Sequence, residues 1–257
     1  MKKCLLNLFF GVVLSIFVLS TNVFAAHPLI TDDAGTVGAG KAQVEFNLEY
    51  SSHKEGGIKE SITDLNAILT YGIKDNIDII LTLPYQFIKI EAEGETFKEN
   101  GISDVSLELK WRFYEQKDIA TLALKPVLTL PTGNDDKGLG NGKATFGLYF
   151  IASKEIDPLT LHLNLGYIRN ENKFNDRKDI WHISLASELE VMKELKLVAN
   201  VGMERNTDRE SNTHPAFILG GIIYTITDNF DIDLGIKAGL NKAEVDYALL
   251  AGLTYRF

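Results

Sequence analysis

The 257 residues hold a single cysteine, two tryptophans, three methionines and six prolines. That cysteine, Cys4, stands in an N-terminal leader, so the exported chain has no thiol for a disulfide, a redox pair or a thiolate metal site. Long apolar runs are missing too. Past residue 25 none approaches the roughly 20 residues that a membrane helix needs. Basic charge is scarce: 26 Lys and Arg face 35 Asp and Glu, a net charge of −9. An acidic chain repels nucleic acid instead of condensing on it.

The leader is the one strongly apolar stretch. Lys2 and Lys3 precede a greasy run from Leu5 to Leu19, and Val23-Phe24-Ala25 follows as a small-residue site. This pattern predicts a secretory signal peptide over residues 1–25, cut after Ala25. Losing the two lysines takes the net charge from −9 to −11. A chain exported without a helical anchor belongs to the periplasm, the exterior or the outer membrane.

What the sequence has in plenty is strict alternation. Val105, Leu107, Leu109, Trp111 and Phe113 form an apolar row against Asp104, Ser106, Glu108, Lys110 and Arg112. Leu159, Leu161, Leu163, Leu165 and Tyr167 oppose Thr160, His162, Asn164 and Gly166. Side chains on a strand point alternately to two faces, so each such segment has one greasy face and one wet face. A soluble sandwich alternates as well.

Loop lengths separate the two. Twelve strands are expected at about 41–51, 61–72, 76–90, 102–115, 119–131, 142–153, 158–170, 180–191, 195–206, 214–226, 230–240 and 245–257. Long polar connections at 52–60, 91–101, 132–141, 171–179 and 207–213 alternate with tight turns such as Lys74-Asp75 and Asp228-Asn229. Long loops at one rim and short turns at the other mark an outer-membrane barrel. Tyr50, Tyr71, Tyr85, Phe113, Tyr167, Trp181 and Phe257 sit near strand ends, where interfacial girdles form. The expected fold is therefore all-β, a transmembrane antiparallel up-and-down barrel over residues 41–257.

Parity then assigns the interior. Glu45, Asp64, Glu108, Glu188 and Asp233 turn inward with Lys110, Arg112, Lys125, Lys196, Lys237 and His162. With Glu49, Asp78, Glu190, Glu204, Asp231, Asp246 and Arg256 the full inward rows hold eleven acids against six bases, which favours cationic or neutral solutes over anions. The charges either pair and fill the barrel or line a narrow path that selects among permeants. At twelve strands both remain open.

Three motifs invite sharper readings. Gly35 to Ala42 reads GTVGAGKA, near the phosphate-binding loop pattern, but Ala42 cannot ligate magnesium and no helix follows, so a flexible linker is expected. Asn134, Asp135 and Asp136 offer oxygen ligands without the spacing of a calcium loop, so a solvated surface loop is expected. For a lipolytic enzyme a Ser and a His must share the lipid face; His162 and His182 turn inward, and His53 and His214 fall in expected loops. No catalytic residue, cofactor or metal site is assigned.

Two stretches are distinctive: HPLITDDAGTVGAGKAQVE at 27–45 and LPTGNDDKGLGNG at 130–142. With the leader and the aromatic C-terminus, the chain resembles the outer-membrane, transporter-like family of the MetA pathway of phenol degradation. The resemblance implies a barrel in outer-membrane lipid and passage of small hydrophobic or aromatic solutes. It also implies that Phe257, in step with Tyr255 and Leu253, is the C-terminal signal read by the barrel assembly machinery. His27, Asp32 and Asp33 lie in a segment, 26–40, that either folds into the lumen as a plug or stays a disordered start. The expected function is a passive outer-membrane channel for small solutes. The alternatives are a sealed structural or adhesive barrel and a barrel lipolytic enzyme.

Overall fold

A computed structural model describes residues 27–116 and 118–257; the expected signal peptide lies outside them. Thirteen strands follow in order: β1 Ala42–Glu55, β2 Ile58–Lys74, β3 Ile77–Ala92, β4 Glu95–Ile102, β5 Val105–Gln116, β6 Ala120–Leu130 and β7 Thr145–Ile156. Then come β8 Leu159–Arg169, β9 Asp179–Met192, β10 Leu195–Glu204, β11 Ala216–Thr227, β12 Phe230–Gly239 and β13 Tyr247–Arg256. Each is antiparallel to its neighbours. β1 pairs with β13, from Gln43 opposite Arg256 to Ser52 opposite Tyr247, and β2 with β3, so the barrel closes.

β4 and β5 lie end to end along β3. β4 pairs with Tyr85–Ala92 and β5 with Ile77–Thr82, so the barrel has twelve strand positions and β4 is an extra piece on the same wall. The expected loop at 91–101 is thus largely strand, and the expected loop at 52–60 shrinks to Gly56-Gly57. Both hairpins turn on two residues of positive φ: Gly56 at 57° and Gly57 at 88°, Glu93 at 52° and Gly94 at 83°. Such turns match the twist of the strands they join. His53, expected in a loop, is buried on β1.

Alternation sets the two faces as read from sequence. Phe46, Leu48, Leu107, Trp111, Leu165 and Leu185 are exposed outward while Glu45, Asn47, Glu108, Lys110 and Asn164 are buried inward. A greasy outer belt this continuous would be an aggregation surface in water and is at home in lipid. Aromatics ring both rims. Trp111 and Phe113 lie 5.7 Å apart and Tyr255 and Phe257 4.8 Å apart near the short turns, and Tyr85 and Phe87 5.1 Å apart toward the other rim.

The longer loops are latched to one another around that other rim. Lys137 bonds Glu99 at 2.9 Å, Lys173 bonds Asp135 at 2.7 Å, and an Arg177 guanidinium N–H donates to the Arg209 carbonyl at 2.9 Å. The Asn241 amide donates to the His214 carbonyl at 2.7 Å. In the glycine-rich loop 132–142 Asn134 and Asp136 are solvated as expected, while Gly133, Leu139 and Asn141 fold inward. Gly133 and Asn141 donate backbone N–H groups to the Asp104 carboxylate at 2.9 and 2.8 Å. Leu139 is buried against Ile62, Ile88 and Ile90.

Candidate functional site

The centre of the barrel is occupied by its own N-terminal segment, residues 27–41. Residues 27–39 have no partner strand, backbone pairing with β2 beginning only at Gly40 and Lys41 opposite Gly72, so their backbone N–H groups must find other acceptors. The inner wall supplies them as side chains. Ile30 and Thr31 donate to Asn200 Oδ1 at 2.8 and 3.0 Å, Asp32 donates to Asn164 Oδ1 at 2.8 Å, and Ala34 donates to Ser153 Oγ at 2.9 Å. Val37 donates to Asp78 Oδ2 at 3.0 Å and Ala39 to Asp75 Oδ1 at 3.1 Å. These partners come from β10, β8, β7, β3 and the turn after β2, so the segment crosses the lumen and leaves at the short-turn rim.

Charge anchors its middle. The Asp32 carboxylate, fully buried, accepts from Lys110 Nζ at 2.6 Å and from Lys125 Nζ at 2.5 Å. Lys125 also meets Glu108 at 3.2 Å, and Lys110 also donates to the Asp33 carbonyl at 3.1 Å. A buried lone aspartate or lysine is costly, whereas this set satisfies both signs. His27 bonds Asp233 on β12. Beside it Pro28 lies over Gly221 and Gly235: a Cβ on either would stand 2.8 or 2.7 Å from the proline ring. Only glycine lets the wall and the segment approach this closely.

The inward residues read from parity stand on the inner rows, save Asp246, which precedes β13 and is exposed. Glu45, Glu108, Lys110, Lys125, His162, Glu188, Asp233 and Lys237 are buried; Asp64, Arg112 and Lys196 are half-buried. Lys237 pairs with Glu49 at 3.0 Å, Lys196 with Glu188 at 2.8 Å, and Arg256 with Asp231 at 2.7 Å. Gln86 donates to Asp64 at 2.9 Å. Arg112 sits at the rim, bonded to Glu115 at 2.8 Å and to the Asp75 carbonyl.

Sequence reasoning missed the apolar part of the lumen. Leu29 packs with Val198, Phe217, Leu219, Ile223 and Leu250, and Ala34 with Val127, Tyr149, Ile151, Ile168 and Ile180. Most of these follow the inward parity of neighbouring residues, so the register carried the signal; β11, apolar on both faces, hid it. Tyr149 and Phe217 lie against Gly166 and Gly202, where a Cβ would stand 2.5 Å from either ring. The lumen is therefore part ionic and part greasy.

Two serine–histidine–glutamate chains also emerge. Ser153 Oγ lies 2.8 Å from His162 Nδ1, with Glu188 3.4 Å from Nε2. Ser184 Oγ lies 2.9 Å from His182 Nε2, with Glu204 3.2 Å from Nδ1. Both resemble the order of a hydrolytic triad. Acyl transfer also needs N–H donors for an oxyanion. Ser153 and Ser184 sit within paired strands, where the ladder takes the backbone N–H groups.

A closed barrel with a greasy outer belt, aromatic girdles and a polar, partly apolar lumen defines an outer-membrane β-barrel. The chain belongs to the family described as Putative MetA-pathway of phenol degradation, whose model matches residues 26–257. No curated protein matches the sequence. Among solved structures the chain is similar to the COG4313 outer membrane channel from Pseudomonas putida F1, at 13% identity and a TM-score of 0.68, covering 88% of this chain and 98% of that one. It is also similar to the NanC porin (9% identity, TM-score 0.55, 83% and 98% covered) and to the KdgM porin (8%, 0.55, 84% and 99%). At such identities the likeness lies in the fold, and the fold places the protein in the outer membrane.

Proposed function

We propose that the protein is a passive route for small solutes across the outer membrane, non-enzymatic, with residues 27–41 as a plug in that route. The carrying observation is that the lumen is filled by a segment held through side chains instead of a strand ladder. Such a filling can leave without breaking the barrel wall. Buried Tyr149, Phe217, Leu219 and Ile223 support hydrophobic or aromatic solutes, because a neutral ring loses little on moving from water to such a wall. No energy-coupling element is required for diffusive passage.

The lipolytic alternative rests on the two serine–histidine–glutamate chains and is disfavoured by their lack of oxyanion donors and their inward placement. The sealed-barrel alternative is favoured by the Asp32 lysine pair. A liposome-swelling series with sugars, aromatic acids and phenols separates them. Swelling with small neutral and aromatic solutes that increases on deletion of residues 27–38 supports the proposal. Liposomes that contain folded barrel and never swell, with or without the deletion, overturn it.

A further inference from the structure

At the short-turn rim both ends of the described chain meet around a cavity of about 650 Å³. Asp33 and Val37 of the segment, Glu45 of β1, Asp78 of β3, Lys110 of β5 and Arg256 of β13 line it. A volume of this size falls in the usual range of small-molecule sites.

Two carboxylates in its wall are half-used. Glu45 Oε1 accepts from Gln43 Nε2 at 2.8 Å and Asp78 Oδ2 accepts from the Val37 N–H at 3.0 Å. The other oxygen of each, Glu45 Oε2 and Asp78 Oδ1, is buried and has no partner in the protein; both residues are about 2% exposed. Of the lining cations Lys41 is exposed to solvent, and the other two are already engaged. Lys110 is held by Asp32 and the Asp33 carbonyl, and Arg256 by Asp231 and Gln43. Buried carboxyl oxygens without donors call for a ligand that brings N–H donors, and a positive charge on that ligand would hold both carboxyls ionised.

We infer that this vestibule binds an organic ammonium ion, its N–H groups shared between Glu45 and Asp78 and its hydrocarbon part against Ile80 and Phe257. The lining includes both of those apolar side chains. The inference rests on the channel reading only for the route by which such a solute arrives.

Calorimetry of the full mature protein, folded in detergent, tests it with benzylammonium as the probe. Tetramethylammonium carries the charge without N–H donors, and benzyl alcohol carries the ring without the charge. The expected result is saturable binding of benzylammonium, at least tenfold weaker for either analogue and at least tenfold weaker in the Glu45→Gln, Asp78→Asn double variant. Glu155→Gln, an exposed acid at the same rim, should leave affinity unchanged. Retention of heat-modifiable gel migration shows that each variant is folded. No saturable heat, or equal affinity in the folded double variant, overturns the inference and means that water alone fills the cavity. Because binding in detergent needs no passage, liposomes that swell around a protein that does not bind overturn this inference alone. A protein that binds yet never conducts overturns only the channel reading.

Discussion

Replacing Asp32 with asparagine removes one carboxylate from a cage of two buried lysines while leaving every wall strand intact. Lys110 and Lys125 approach it at 2.6 and 2.5 Å. Removing one partner of a buried ion pair costs about 3–5 kcal/mol. Lys125 keeps Glu108 at 3.2 Å, so the lower end applies, about 3 kcal/mol. At 1.4 kcal/mol per tenfold, that moves the balance between seated and released segment by about a hundredfold. The backbone bonds to Asn200, Asn164, Ser153 and Asp78 survive and oppose complete release. Single-channel recording in planar bilayers should show Asp32→Asn opening far more often than the parent at equal unit conductance of the open state. Substituting Lys110 by methionine as well, with Lys125 kept as the partner of Glu108, should reduce that opening, since no buried lysine is then left alone. An Asp32→Asn protein that records like the parent would refute the reasoning.

Further outcomes follow from the same geometry. Gly235→Val should dislodge Pro28 by sterics alone and raise channel opening without any change of charge, as read by the same recordings. Asp176, in the loop between β8 and β9, is pushed up to about 6, chiefly by burial and then by Asp208, with Arg209 opposing. Since its ordinary value is 3.8, the folded loop retains the proton between about 4 and 6. The latch to the neighbouring loop should therefore be tighter at pH 5 and loosen as pH rises through 6. Hydrogen exchange of residues 170–178 should show this dependence and Asp176→Asn should abolish it; equal protection at pH 5 and 7.5 in the parent would sink the idea. Leu165→Arg, on the lipid face, should destabilise the barrel by about 2–4 kcal/mol in urea titration from lipid, depending on its depth.

The outer face was legible in sequence because lipid punishes every exception, so Leu107, Trp111 and Leu165 keep strict parity. The same rule fails beyond the bilayer. Residues 95–102 read ETFKENGI, a strand that sets Phe97 against the Ile62, Ile88 and Ile90 cluster but has polar residues on both faces, so no greasy row betrays it. The lumen obeys no single polarity either, which is why Phe217, Leu219 and Ile223 escaped notice beside Glu45 and Lys125. The path of the N-terminal segment was legible only as a possibility. Asp32 meets residues 78, 93 and 132 positions away, and nothing local to HPLITDD foretells those partners.

The most direct test of the whole account ties the segment to the wall and lets it go. Residues 27–257 carry no cysteine, and Ala34 N lies 2.9 Å from Ser153 Oγ, which makes Ala34→Cys, Ser153→Cys the pair to bridge. With the bridge formed, bilayer conductance and liposome swelling should fall to the level of empty membranes, and reduction should restore both. Equal flux in the oxidised and reduced states, with the bridge verified, would contradict the claim that this segment stands in the solute's way.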